Sequence, residues 1–268
     1  VTLKKNTKEI NQMLDLNIEE ISSPIKSGKI NLMLGVLQKI EGMACRDFKQ
    51  NSMILDKNKL DFVDRFEKRV EKKIAEFFLN KVKGDGIIGK HYNIDSTNEN
   101  NWVINPLDGR ANFLRNIPIF CISVAFMTGN IVKSCVVINP LLGEIYQAEV
   151  ESGAYLNDAK ISVSKEVKEN KLFGSCTNEE VCIDTANTRS LGCSTLSMCY
   201  VASGRFDFSV DLGKELVDVA AGALMVTEAK GFVSKSGVTC NNILGFGKQS
   251  LVSSSKMSKK YIQNNLKI

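Results

Sequence analysis

The residues best suited to chemistry lie in one short run at 102–113, WVINPLDGRANF. Pro106 restricts Asn105 to extended backbone, which suits the end of a strand. Asp108 and Gly109 then allow a tight turn into a helix starting near Arg110. That order places a carboxylate at a strand end beside unpaired helix N–H groups, an arrangement fit for a phosphate held by a cation. The same residues would equally make an ordinary Asx turn with a helix cap. The eight cysteines are Cys45, Cys121, Cys135, Cys176, Cys182, Cys193, Cys199 and Cys240. None forms a C-x-x-C pair and most sit among apolar or small residues, so reduced, buried thiols are expected. With His91 as the single histidine, zinc sites of the Cys-His kind and Cys-His nucleophiles have little to draw on.

Helices and strands must position this run. From Gly28 to about Phe48, the residues Ile30, Leu32, Met33, Val36, Leu37 and Ile40 recur at helical spacing. Residues 61–79 repeat the pattern with Phe62, Val63, Phe66, Val70, Ile74, Phe77 and Phe78, and their other face is charged. Both read as amphipathic helices covering a sheet. A short strand is expected at 102–104, and a central, almost continuously apolar one at 120–127. Strands at 131–138 and 144–150 flank a turn at Pro140, and a short pair follows at 153–156 and 160–163. The second half restarts with a strand at 171–175, a helix at 195–202 and a strand at 206–210. A buried Ala- and Val-rich helix at 217–229 precedes late strands at 232–233, 243–246 and 251–253. A basic helix closes the chain at 258–268, after a polar lead-in over 1–26. Two α/β lobes are predicted, 1–150 and 151–268.

Composition excludes several classes. The chain has 268 residues, 43% hydrophobic and 24% charged, enough to fill a core and too apolar for global disorder. Lys+Arg is 35 against 30 Asp+Glu, a net +5, which by itself does not call for nucleic acid. No apolar run approaches the ~20 residues of a membrane span. The basic start VTLKKNTKEINQ has no apolar core behind it, so no secretory signal is expected and the expected location is cytoplasmic. The Lys-rich tail at 256–267 reads as a solvated helix face, with nucleic acid or acidic protein as the other reading.

The 102–113 run resembles a block of the inositol monophosphatase family that reads approximately W-[IV]-I-D-P-[LI]-D-G-T-x-N-F. The chain matches it at Trp102, Val103, Ile104, Pro106, Leu107, Asp108, Gly109, Asn112 and Phe113. The family's W-D-x-A-A-G block, followed by E-A-G-G, is similar to ELVDVAAGALMVTEAKGF, with Asp218, Ala220, Ala221, Gly222, Glu228, Ala229 and Gly231 in register. YVASGRFD at 200–207 resembles the family's YVAxGRxD, and Asp64 falls at a VTxxD-type segment. The resemblance implies an α/β (α+β) fold, an alternating αβαβα layered sandwich, usually a homodimer. It also implies Mg2+-dependent hydrolysis of a phosphate monoester by inositol-1-phosphate-type phosphatases. In that pattern Asp108 and Asp218 are catalytic metal ligands, the Leu107 carbonyl is a further ligand, and Asp64 is an accessory acid. Asp211 contacts sugar hydroxyls, Ser194 and Thr195 make other substrate contacts, and N–H groups near Gly109 and Arg110 hold a phosphate or sulfate anion.

The departures bear on activity. Asn105 replaces the first aspartate of the block, and an amide ligates Mg2+ without contributing charge. Arg110 replaces the threonine that positions water; a guanidinium has no acceptor for that role. The loop IIGKHYN puts Lys90 and His91 where the family often has two glutamates. Asp85 or His91 are the candidate replacements. A local charge of about −4 from four anionic ligands falls to roughly zero on this count, so Mg2+ binding is expected to be weak or absent. The expected function is therefore a family member with strongly reduced or lost ordinary phosphatase activity. The alternatives are a weak or adapted sugar-phosphate phosphatase, and a non-catalytic partner of the transcription and RNA machinery, as some bacterial family members are. Arg110 with Lys90 would form a metal-free anion pocket; alternatively Arg110 swings out or pairs with Asp108. Asp218 either ligates a metal or caps its helix.

Overall fold

The computed structural model describes residues 23–165, 172–176, 187–235, 238–239 and 249–254. Two long helices come first, α1 (Gly28–Asn51) and α2 (Asp56–Lys81). An eight-stranded sheet follows, built from β1 (Gly86–Ile88), β2 (Asn93–Ile94), β3 (Asn100–Asp108), β4 (Cys121–Thr128), β5 (Ile131–Asn139), β6 (Glu144–Glu149), β7 (Gly153–Leu156) and β8 (Ala159–Ile161). Its strand order is β2-β1-β3-β4-β5-β6-β7-β8. The short helix α3 (Arg110–Leu114) links β3 to β4. Beyond β8 come β9 (Phe173–Cys176), β10 (Asn187–Arg189), α4 (Ser194–Ala202), β11 (Phe208–Lys214), α5 (Leu216–Glu228), β12 (Phe232–Lys235), β13 (Val238–Thr239) and β14 (Gln249–Ser254). The six strands form a second sheet in the order β10-β9-β11-β14-β12-β13.

Two cores hold these layers together. Ile30, Met33, Leu37, Phe66, Val70, Ile74 and Phe78 of α1 and α2 pack on Trp102, Ile104, Ile122, Val124 and Val136 of the first sheet. Phe78 stacks on Trp102 at 3.8 Å between centroids. The opposite face of that sheet, with Val103, Ala125, Cys135, Val137 and Tyr146, meets α4 and α5. Helices α4 and α5 in turn lie on the second sheet. Helix α5 is apolar nearly all round because a sheet covers it on each side. The described residues thus stack as αβαβ, an α/β sandwich. The expected basic helix at 258–268 and strand at 243–246 lie outside them, as does most of the expected lead-in.

The first sheet runs on to Ile161 through β7 and β8, so it crosses the boundary expected at residue 150. Strand β3 is also longer than the expected 102–104. It pairs in register with β4 from Asn100↔Thr128 to Asn105↔Ser123, and then shifts before Asp108↔Cys121. Pro106 lies in that shift and has no N–H to give the ladder, so the strand bulges there.

Candidate functional site

The bulge in β3 aims the side chains of Asn105 and Asp108 away from regular pleating. Gly109 then turns the chain with φ +86, and a Cβ there would meet the Ile119 carbonyl oxygen at 2.6 Å. Asp108 is fixed by two backbone donors. Gly109 N–H gives to Oδ1 at 2.9 Å and Thr195 N–H to Oδ2 at 2.7 Å. The Gly109 N–H is therefore spent on the chain's own carboxylate rather than left for an anion. Asn112 fastens the turn to the segment before α4, giving hydrogen bonds to the carbonyls of Ile119 at 2.8 Å and Leu191 at 2.7 Å.

Asp218 approaches from the other side as the third residue of α5. It closes a capping box with Glu215, whose N–H gives to Asp218 Oδ2 at 3.3 Å. Its other oxygen, Oδ1, accepts from Asn105 Nδ2 at 3.2 Å and lies 3.2 Å from Lys90 Nζ. Lys90 also gives to the Leu107 carbonyl at 3.2 Å. The ammonium thus sits between the two oxygens, Leu107 O and Asp218 Oδ1, that the family pattern assigns to a metal. Asn105 is turned to donate toward Asp218, while its Oδ1 accepts from Leu107 N–H at 3.2 Å. Thr195 Oγ adds a bond to the Asp218 carbonyl at 3.0 Å.

Arg110 neither pairs with Asp108 nor swings free. Its guanidinium forks onto Asp64 and Glu67 of α2. Glu67 is only 3% exposed and Glu71, one turn on, is fully buried. An isolated buried carboxylate costs several kcal/mol unless paired, and Arg110 supplies the pair for Glu67. Glu71 instead accepts backbone N–H groups of the 90–92 loop, from His91 at 3.0 Å and Tyr92 at 2.7 Å. A Cβ on Gly89 would collide with that carboxylate, so the glycine is what lets Glu71 in. His91 is exposed, with Nε2 4.0 Å from Glu67.

These contacts correct the sequence-based charge count. Glu67 and Glu71 join Asp64, Asp108 and Asp218, so five carboxylates stand beside two cations: Lys90 meets Asp218, Arg110 meets Asp64 and Glu67, and the neighbourhood stays acidic. Glu67 and Glu71 belong to the charged face of 61–79, yet both are buried. A signal was present: Asp64, Glu67 and Glu71 fall at spacings of three and four, one stripe of a helix. Neither cation is left to form the metal-free anion pocket, since both are engaged by acids. Asp85 does not join the cluster. It is buried, accepts from Trp102 Nε1 at 3.0 Å and pairs with Lys29 at 3.2 Å.

Asp211 on β11 is buried and accepts from Ser209 Oγ at 2.8 Å. Burial pushes its carboxyl up to about 6, against the opposing pull of the Ser209 and Ser194 hydroxyls and Lys214. Ser194 and Thr195 open α4 beside it. No helix among the described residues is long and apolar enough to cross a membrane.

Comparison with known proteins agrees with this arrangement. An inositol-1-monophosphatase of Rhizobium meliloti is 31% identical over 226 residues, 77% of this chain and 85% of that one. The Nus factor SuhB of Xylella fastidiosa is 31% identical over 195 residues, 67% of this chain and 71% of that one. The crystal structure of the extragenic suppressor protein SuhB from Bartonella henselae superposes with a TM-score of 0.77 at 26% identity, covering 89% of this chain and 99% of that one. The family model for the inositol monophosphatase family matches residues 23–264, and the chain belongs to that family.

Proposed function

We propose that this chain is an inositol monophosphatase-like protein whose ordinary Mg2+-dependent hydrolysis is strongly reduced or lost. One observation carries the reading: the Lys90 ammonium is held by Leu107 O and Asp218 Oδ1, both at 3.2 Å. The family is metal-dependent, and those are the oxygens its pattern gives to a cation. A Mg2+ ion needs oxygen ligands at about 2.1 Å and cannot share them with a resident ammonium. Arg110 likewise holds Asp64 and Glu67, where the pattern has a water-positioning hydroxyl. The donor set does not fit Mg2+, so no hydrolytic step is routed through one. Lys90 and Arg110 act instead as built-in cations that occupy the oxygens of Leu107, Asp218, Asp64 and Glu67.

The test is a melting series in Mg2+. A ligand that binds only the folded state must raise the melting temperature. The expected result is no shift at millimolar Mg2+; a clear, saturating rise overturns the reading.

A second reading follows from the relatives called Nus factor SuhB in Xylella fastidiosa and Pasteurella multocida, the latter 30% identical over 212 residues. On it the chain is a cytoplasmic, homodimeric partner of the transcription machinery. Titration of the labelled chain with purified transcription elongation complex tests this. Saturable binding that survives Asp218→Asn supports it, and absence of binding rules it out. Turnover of another sugar phosphate, metal-dependent and lost on Asp218→Asn, would instead identify an adapted phosphatase.

A further inference from the structure

We propose that Asp108, Cys121 and Cys193 form a thiolate-containing site for a borderline-soft divalent cation of the Zn2+ class. The three residues come from separate elements: the end of β3, the start of β4 and the residue before α4. Their ligand atoms lie within 4.8 Å of one another and all three residues are buried. The two sulfurs are 3.6 Å apart, and both cysteines are free. A tetrahedral zinc with Zn–S bonds of ~2.3 Å spaces two sulfur ligands about 3.8 Å apart. The thiols therefore stand at nearly the spacing of one edge of a zinc coordination tetrahedron.

The surroundings support the same ligand set. Each Asp108 oxygen accepts one backbone N–H, from Gly109 and from Thr195. These bonds fix the carboxylate while leaving a lone pair on each oxygen, as outer-shell donors do around metal ligands. Cys193 immediately precedes the nine-residue helix α4, whose N-terminal end favours negative charge, while burial pushes the thiol well above its ordinary value, so the metal-free site holds thiols and the ion has to displace their protons. Binding replaces two thiol protons with one divalent ion and releases both protons. The resulting charge of two thiolates, one carboxylate and the ion is −1; burial raises the Cys121 thiol in the metal-free protein, and the ion supplies the counter-charge. A fourth position is left to an external ligand, as in open zinc sites. Asp108 is 8% exposed and the two cysteines at most 1%, so the carboxylate marks the side of entry.

This goes beyond the proposed function, because thiolates select a softer ion than Mg2+ and the site stands whether or not phosphate esters are hydrolysed. The cysteines are 72 residues apart, which is why no local Cys motif announces them.

The test is anaerobic titration of the reduced, full chain with Co2+ as a spectroscopic stand-in for Zn2+. The expected result is a single equivalent bound with a thiolate-to-cobalt charge-transfer band. Cys121→Ser and Cys193→Ser should each cut that band to about half, and the double variant should abolish it. Cys135→Ser, at a buried thiol outside the cluster that gives to the Ala221 carbonyl, should leave it unchanged. A missing band, or one that survives the double substitution, overturns the proposal. Because the variants risk misfolding, X-ray absorption of the Zn2+-loaded unsubstituted chain provides a second reading. Sulfur scatterers at ~2.3 Å are expected; a shell of oxygen and nitrogen alone overturns the proposal.

Discussion

Arg110 forks onto Asp64 and Glu67 with the planar guanidinium geometry that suits two carboxylates. Arg110→Thr should leave Glu67 buried without a counter-charge. The expected cost is about 2 kcal/mol in metal-free buffer, below the full value for a buried pair because Arg110 is partly exposed. Combining it with Lys90→Glu should give a protein whose melting temperature rises with Mg2+ where that of the parent does not. Failure of the double variant to respond would show that the two cations are not what excludes the metal. Asp211 offers an independent check. Its folded pKa is raised from 3.8 to about 6, so the folded state binds the proton more tightly than the unfolded one. Its contribution to stability is fully present below about pH 4 and is lost as pH rises toward 6, by about 3 kcal/mol in total. Asp211→Asn should flatten that part of the pH–stability curve; an unchanged slope would place the titration elsewhere. At this scale Asp108 and Asp218 were legible, because their motifs are contiguous. Glu67 and Glu71 were not, because a charged helical residue is usually solvated, and the stripe they make with Asp64 does not by itself tell a buried face from a solvated one.

Strand β3 and its bulge decide how the site residues are presented. Asn105, Pro106 and Asp108 are poor strand formers, so the sequence gives only a short strand where the structure has Asn100–Asp108. Pairing with β1 and β4 on both sides overrides the local preference. The turn after it depends on Gly109. Gly109→Ala combines a positive φ with a 2.6 Å approach to the Ile119 carbonyl, and should destabilise by about 2–3 kcal/mol, measurable by chemical denaturation. A cost below ~0.5 kcal/mol would mean that the turn relaxes freely. The long helices were the easiest elements to foresee, since their apolar stripes persist over six or seven turns. The strands β1, β2 and β10 have three residues or fewer and carry too little pattern to be seen. Strands β7 and β8 were foreseen as a pair but assigned to the second lobe; only their pairing with β6 shows that they extend the first sheet.

Across the whole molecule, α5 is the hinge between the two halves of the site. It is gripped between the sheets by Val219, Ala220, Ala223 and Val226, and it delivers Asp218 to Asn105 and Lys90 on the first sheet's side. The α/β character was readable from the alternation of apolar stripes and strands, the family from two motifs more than a hundred residues apart, and the layered order only through that family resemblance. The state of the site was not readable, because it depends on which acid each cation chooses. That choice is the central claim, and the most direct measurement of it is phosphate release from inositol 1-phosphate across a Mg2+ and Mn2+ series, with Asp218→Asn as control. Built-in cations at Lys90 and Arg110 predict no release above the control at any metal concentration. Metal-dependent release that vanishes in the Asp218→Asn protein would contradict them.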